Sequence, residues 1–205
     1  MIPLVKRGER KEAVAGTVSE TERPLRADAR RNRERILESA RAVFAETGAE
    51  AQIDDVARHA GVGVGTVYRH FPTKQALLTE LIRQTFRLFT GRAREALEAD
   101  GEPFALIEGL LRRIAATAAG DVGVQYAWAG SDGHASAEAQ AEQDELIAVI
   151  AELIERARRA ETIRPDIEAI DIGMLLCGVC SAMGARPGFD WRRHIDLVID
   201  TLRVR

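Results

Sequence analysis

Residues Ile53–Leu78 read IDDVARHAGVGVGTVYRHFPTKQALL, and they break into two short helices across a glycine turn, with a third helix following at once. Ile53, Val56, Ala57 and Ala60 fall on one face at helical spacing. Gly61 stands where a helix end favours a left-handed residue. Val62 then turns back toward the core. The second helix is predicted over about Val64 to His70, with Val67 and Phe71 inward and Gly65, Thr66, Tyr68, Arg69 and His70 outward. Pro72 stops it, and Thr73 is a good N-cap for the helix that follows. Helix, glycine turn, helix is the helix-turn-helix pattern, whose second helix enters a DNA major groove.

Upstream, a helix is predicted from about Ala29 to Thr47, with Asp28 as its N-cap and Ile36, Leu37, Ala40, Val43 and Phe44 as its buried stripe. Arg30, Arg31, Arg33 and Arg35 then crowd its first two turns, where the helix dipole favours anions. Phosphate contact and a solvated basic face both account for that bias. Residues 1–28 are expected to be a disordered arm. Either it reaches a minor groove or a phosphate, or it is an inert tail whose acids nearly cancel its Lys and Arg.

The stretch resembles the DNA-binding domain of the TetR family of bacterial transcriptional regulators. The resemblance rests on Ala57, Ala60-Gly61-Val62, Gly65-Thr66-Val67-Tyr68, His70-Phe71, Lys74 and Leu77-Leu78, and with the preceding helix it covers roughly residues 29 to 80. It implies a three-helix DNA-binding domain at about 29–75 and a helical ligand-binding and dimerisation domain at about 76–205. It also implies that Gln52, Val64, Gly65, Thr66, Tyr68, Arg69, His70 and Lys74 face double-stranded operator DNA. Thr66 suits a phosphate or a thymine methyl, Tyr68 a phosphate, and Arg69 a guanine or a phosphate. Gly65 lets the backbone approach. His70 and Lys74 suit phosphate, Lys74 beside the free N–H groups of a helix start. Two departures stand out. Many relatives carry Ser or Thr where this chain has Gln52 and Gly63, which cap less well. Val64 replaces a commonly polar residue, so base preference does not transfer from relatives.

The bulk composition agrees with this division. The chain has 205 residues, 46% hydrophobic and 30% charged, as expected for a globular protein of one or two domains. Net charge is -3, yet residues 1–80 hold 14 Lys and Arg against 12 acids, and the remainder 15 against 20. The sign suits an N-terminal DNA-facing part with an acidic partner domain. Alternating apolar runs are absent, so the fold is expected to be all-α with about nine helices. No signal peptide is read, and the longest uncharged stretch, Ile172 to Ala185, is too short to span a bilayer. A cytoplasmic location without membrane attachment is expected.

Beyond Thr73 a long helix is predicted to about Leu97, roughly 37 Å at 1.5 Å per residue. Such a helix can join two domains. Others follow at about 103–119, Val122–Ala129, Ala135–Arg158, Asp166–Ala185 with Asp166 as cap, and from Asp190 onward. Gly178, Ser181, Ala182 and Ala185 form a small-residue stripe. With the apolar side of the last helix, it suggests a four-helix homodimer interface, as the resemblance also implies; packing within the same chain is the alternative. Phe86, Phe89, Phe104, Trp128 and Met174 are candidates for an apolar ligand cavity or for plain core, and Tyr126, Asp132 and His134 for polar contacts there. Cys177 and Cys180 lack two further zinc ligands nearby and are read as small buried side chains. Gly61-x-Gly63-x-Gly65 follows a helix rather than a strand and is not a dinucleotide motif.

No catalytic triad, phosphate loop or metal cluster is found, and no cofactor is expected. The sequence therefore predicts a non-enzymatic, ligand-responsive DNA-binding regulator. The family resemblance favours a repressor that a small, largely apolar effector releases. An effector-independent DNA-binding protein and, more remotely, a helical enzyme are the alternatives.

Overall fold

The computed structural model describes residues 22–121, 137–186 and 188–204. Among these residues the fold is all-α: α1 (Glu22–Thr47), α2 (Ile53–Ala60), α3 (Val64–His70), α4 (Lys74–Glu98), α5 (Pro103–Gly120), α6 (Ala137–Arg159), α7 (Ala169–Ala185) and α8 (Trp191–Leu202). A 3₁₀ turn, Gly48–Glu50, follows α1. The described residues form no strand, only an isolated bridge between Ile163 and Arg203. The helix predicted at Val122–Ala129 and most of the N-terminal arm lie outside the described residues.

Two expected caps are corrected. Helix α1 begins at Glu22, so Asp28 lies inside it and pairs with Arg31 instead of capping. Residues 22–29 hold Glu, Leu, Arg and Ala, all good helix formers, and Pro24 falls in the first turn, where its missing N–H goes unused. Arg30 to Arg35 are consequently mid-helix, and the helix dipole does not oppose them. Helix α7 begins at Ala169, with Glu168 as its N-cap; the Glu168 N–H donates to Asp171 Oδ2 at 2.9 Å. Asp166 is held elsewhere, by a two-pronged pair with Arg164 at 3.0 and 2.6 Å.

The helix-turn-helix forms as its residues dictate. Gly61 takes φ +62°, and its N–H donates to the Arg58 carbonyl at 3.2 Å while the Val62 N–H donates to Ala57 at 3.1 Å. This pair of bonds closes α2 in a Schellman turn. The exposed Gln52 is assisted by Asp55, whose carboxylate accepts from the Gln52 N–H at 3.2 Å. Gly63 starts α3 with no side-chain cap, so only backbone bonds begin that helix. Thr73 caps α4 as expected, its hydroxyl accepting from the Ala76 N–H at 3.0 Å.

Two apolar cores meet on α4. The first gathers Ile36, Leu37 and Phe44 of α1, Val56 and Ala60 of α2, Val67 and Phe71 around α3, and Leu77 and Leu81 of α4. The second starts one residue later with Ile82 and continues through Phe86, Phe89, Ala93 and Ala96 into α5, α6, α7 and α8. Burying a Leu or Phe contributes about 1.5–3 kcal/mol, whereas an exposed ion pair contributes about 0–1 kcal/mol. Apolar burial therefore seats α4, and the charges set its alignment. Arg156 of α6 completes the far end of α4, donating to the Leu97 and Ala99 carbonyls at 3.0 and 3.1 Å.

A chain of alternating charges crosses the joint. Arg33 of α1 meets the buried Glu80 of α4 at 3.1 Å and lies 5.1 Å from the centre of the Phe71 ring. Arg83 lies 3.5 Å and Arg87 3.9 Å from Glu80. The same two arginines reach Glu142 of α6 at 3.2 and 2.6 Å. Hydrogen bonding from Arg87, with further help from Arg83, holds the Glu142 carboxyl below the usual carboxylate range despite its partial burial. Arg41 adds a second strut from α1, bonding Gln84 at 2.6 Å and reaching Asp121 at 3.7 Å.

Two outcomes follow from this local chemistry. Gly61→Ala forces a Cβ into left-handed backbone and should lower stability by about 1 kcal/mol, read as a lower urea midpoint at unchanged m-value. Glu142→Gln should lower the urea midpoint at neutral pH. A depressed carboxyl stabilises above its unfolded value, and that contribution is lost as pH falls through the folded value. The deficit of the variant should therefore shrink below pH about 4.3, the ordinary glutamate value. A deficit of constant size would contradict the role given to its charge.

Candidate functional site

The outer face of α3 presents a small, mixed surface. Val64, Gly65, Tyr68 and Arg69 are exposed, with Tyr68 at 46% and Val64 at 36%. Thr66 and His70 are half-buried, His70 with its ring tilted against Phe71 at 6.4 Å between centroids. Val67 is buried on the opposite side. Gln52, at the start of α2, is also exposed, and Lys74 opens α4 with its ammonium 5.6 Å from the centre of the Phe44 ring. The backbone at Gly65 is open: an added Cβ would meet nothing within 4 Å. The positions singled out in the sequence thus lie on α3 and at the adjoining starts of α2 and α4.

The arginines of α1 divide by partner. Arg33 is committed to Glu80 and Phe71. Arg30, Arg31 and Arg35 stay exposed, and among the described residues their partners lie on the same helix: Glu34 at 4.0 Å, Asp28, and Asn32 at 3.3 Å.

A second feature lies behind the joint. An apolar cavity of about 140 Å³ opens between α4, α5, α6 and α7. Helix α4 gives it Ile82, Phe86 and Phe89; α6 gives Gln143, Leu146 and Ile150; α7 gives Gly173, Met174 and Cys177. Of the five residues read as cavity candidates, Phe86, Phe89 and Met174 line it. Phe104 does not: it is buried in the second core beneath the Arg203 guanidinium, 4.4 Å from its ring centre. Trp128, with Tyr126, Asp132 and His134, lies outside the described residues. Gln143 escaped the sequence reading because it sits in a polar run at the start of α6.

The cysteines differ in surroundings. Cys180 is buried, and burial pushes its thiol up to about 12. Cys177 is only half-buried and lines the cavity. The small-residue stripe of α7 is largely outward: Gly178, Ser181 and Ala185 are exposed, and Ala182 is half-buried. On α8 the outcome differs from expectation. Ile195, Ile199 and Leu202 fill the chain's own core, and the exposed apolar residue of that helix is Leu197. No group of three metal-ligating side chains occurs among the described residues, and none of their helices is long and apolar enough to cross a membrane.

Comparison with known proteins agrees with this arrangement. The pattern of bacterial regulatory proteins of the tetR family matches residues 36–81, and that of the C-terminal domain of SbtR-like transcriptional regulators matches residues 102–204. A TetR transcription regulatory protein from Mycobacterium vanbaalenii is 38% identical, aligned over 88% of this chain and all of that one, with a TM-score of 0.61. A TetR transcriptional regulator from Streptomyces coelicolor is 31% identical over 83% of this chain and 98% of that one, with a TM-score of 0.59. An HTH-type transcriptional regulator of Staphylococcus aureus is 39% identical over 66 residues, which span 32% of this chain and only 36% of that relative. With both halves matched and close full-length relatives in hand, the chain belongs to the TetR family and is a DNA-binding transcriptional regulator, not an enzyme.

Proposed function

We propose that this regulator is a homodimeric repressor that a small, largely apolar effector releases from its operator. One observation carries the reading: α4 is shared. Its first turns sit in the core of the helix-turn-helix, through Leu77 and Leu81, and its next turns form a wall of the cavity, through Ile82, Phe86 and Phe89. A molecule that fills the cavity pushes on the same rigid element that positions α3. It acts only through a difference in affinity between the DNA-competent state and another one. The ion-pair chain from Glu142 to Arg33 gives such a push a route to α1 as well.

In this reading α3 lies in the major groove. Arg69 and Val64 are offered to base edges, Arg69 to a guanine and Val64 to a thymine methyl. Tyr68, Thr66, His70 and Lys74 anchor phosphates, with Gln52 at the edge of the same surface and Gly65 permitting close approach. Two copies are needed, because two recognition helices must meet grooves one helical turn apart. The exposed face of α7, with Met174, Leu175, Gly178 and Ser181, together with Leu197 of α8, supports a helical interface there.

Tyr68→Ala should weaken operator binding about tenfold, a loss of about 1.4 kcal/mol, with helicity unchanged. Lys74→Ala should weaken all duplexes alike and lower the slope of log affinity against log salt by about one. Fluorescence anisotropy over a salt series reads both, and unchanged affinities would remove these residues from the interface. Gly178→Leu should give a folded monomer in sedimentation, since a Cβ at Gly178 meets nothing within 4 Å inside its own subunit. A stable dimer would place the interface elsewhere.

A further inference from the structure

We infer that Arg33 and Glu80 are positioning residues for DNA reading: their ion pair fixes the direction of α3, and neither residue touches DNA. The inference rests on the reading of α3 as the helix that meets DNA and adds what holds that helix in place.

The anchorage of α3 itself is slight. The helix has seven residues, Val67 is its one buried residue, and it starts without a side-chain cap. A helix so short is not stable alone, so packing at its ends sets its direction. At the C-terminal end that packing is Phe71, which is 3% exposed and whose N–H donates to the Val67 carbonyl at 2.8 Å. Pro72 follows and ends the helix there.

Arg33 closes over that end. Its guanidinium lies 5.1 Å from the centre of the Phe71 ring, inside the reach of about 6 Å for a cation–π contact. The same group meets Glu80 Oε2 at 3.1 Å. Helix α1, the end of α3 and helix α4 therefore meet at one point. The Glu80 side chain is 11% exposed, and a carboxylate so placed is tolerated only when paired. Arg83 and Arg87 stand farther from it, at 3.5 and 3.9 Å, and Arg87 is nearer to Glu142, at 2.6 Å. A guanidinium held between a carboxylate and a ring face has little freedom to reach a phosphate. In this Arg33 differs from Arg30, Arg31 and Arg35, whose described partners lie on their own helix.

Reading bases and attracting phosphates make different demands. Base contacts need side chains aligned with base edges, whereas sequence-blind binding depends chiefly on how many phosphates are neutralised. Loss of the pair should therefore reduce sequence preference and spare sequence-blind binding.

Two duplexes are the probes: the one that the wild-type protein enriches from a random pool, and a scrambled duplex of equal length. Fluorescence anisotropy over a salt series reads both with the full-length protein. Glu80→Gln and Arg33→Met should each weaken the enriched duplex about tenfold and leave the scrambled duplex and the salt slope unchanged. The double variant should also lose about tenfold rather than a hundredfold, because the two residues act as one unit. Arg33→Met keeps Glu80 beside Arg83 and Arg87, so no buried charge is stranded, and helicity with a complete urea transition establishes that each variant folds. A salt slope lower by about one in Arg33→Met makes Arg33 a phosphate contact and overturns the inference. Additive losses in the double variant, or equal losses on both duplexes, overturn it as well. Tyr68→Ala measured beside them separates the two levels. Weakened binding there with none in Glu80→Gln overturns the inference and leaves α3 as the reading helix. Unchanged preference in both removes the reading of α3 along with the inference.

Discussion

The burial of α4 in two cores at once is the constraint on which the rest depends. Leu81 belongs to the helix-turn-helix core and Ile82 to the core of the larger helical part. Consecutive helical residues point about 100° apart, so one side of α4 grips α1 and another grips α6. Neither core can rotate about this helix without tearing apolar contacts worth about 1.5–3 kcal/mol per side chain. Rigidity at the joint makes a small displacement in one part a displacement in the other.

Charge refines what apolar burial fixes. Glu80 is buried beside three arginines drawn from two helices, and Glu142 closes the group from a third. A buried carboxylate tolerates its position only when paired. The register of α4 against α1 and α6 is thus held to the one alignment in which these groups meet. Exposed pairs elsewhere, such as Arg94 with Glu145, carry no comparable restriction because water competes for them.

Local chemistry was legible in the sequence, and long-range choice was not. Gly61, Thr73 and Pro72 announce a turn, a cap and a stop through their own backbone preferences, and each does so in the structure. Asp28 and Asp166 also look like caps, but a nearby arginine claims each carboxylate, and a one-dimensional pattern does not show which partner wins. The apolar stripe of α8 shows that the helix is buried, not against what: Ile195 and Ile199 serve their own subunit. Phe86, Phe89 and Phe104 are all buried in the second core, yet the two on α4 border the cavity and Phe104 does not. Gln143 gave no signal, because a single amide among polar neighbours resembles any solvated residue, although it borders the cavity.

Selection of bound duplexes from a random pool tests the central claim most directly, since it reads sequence preference and subunit geometry together. A homodimer with α3 in the major groove enriches an inverted repeat whose half-site centres lie one helical turn, about 34–36 Å, or a multiple of it apart. Recovery of no preferred sequence, or of an isolated half-site with no partner at fixed spacing, would contradict it.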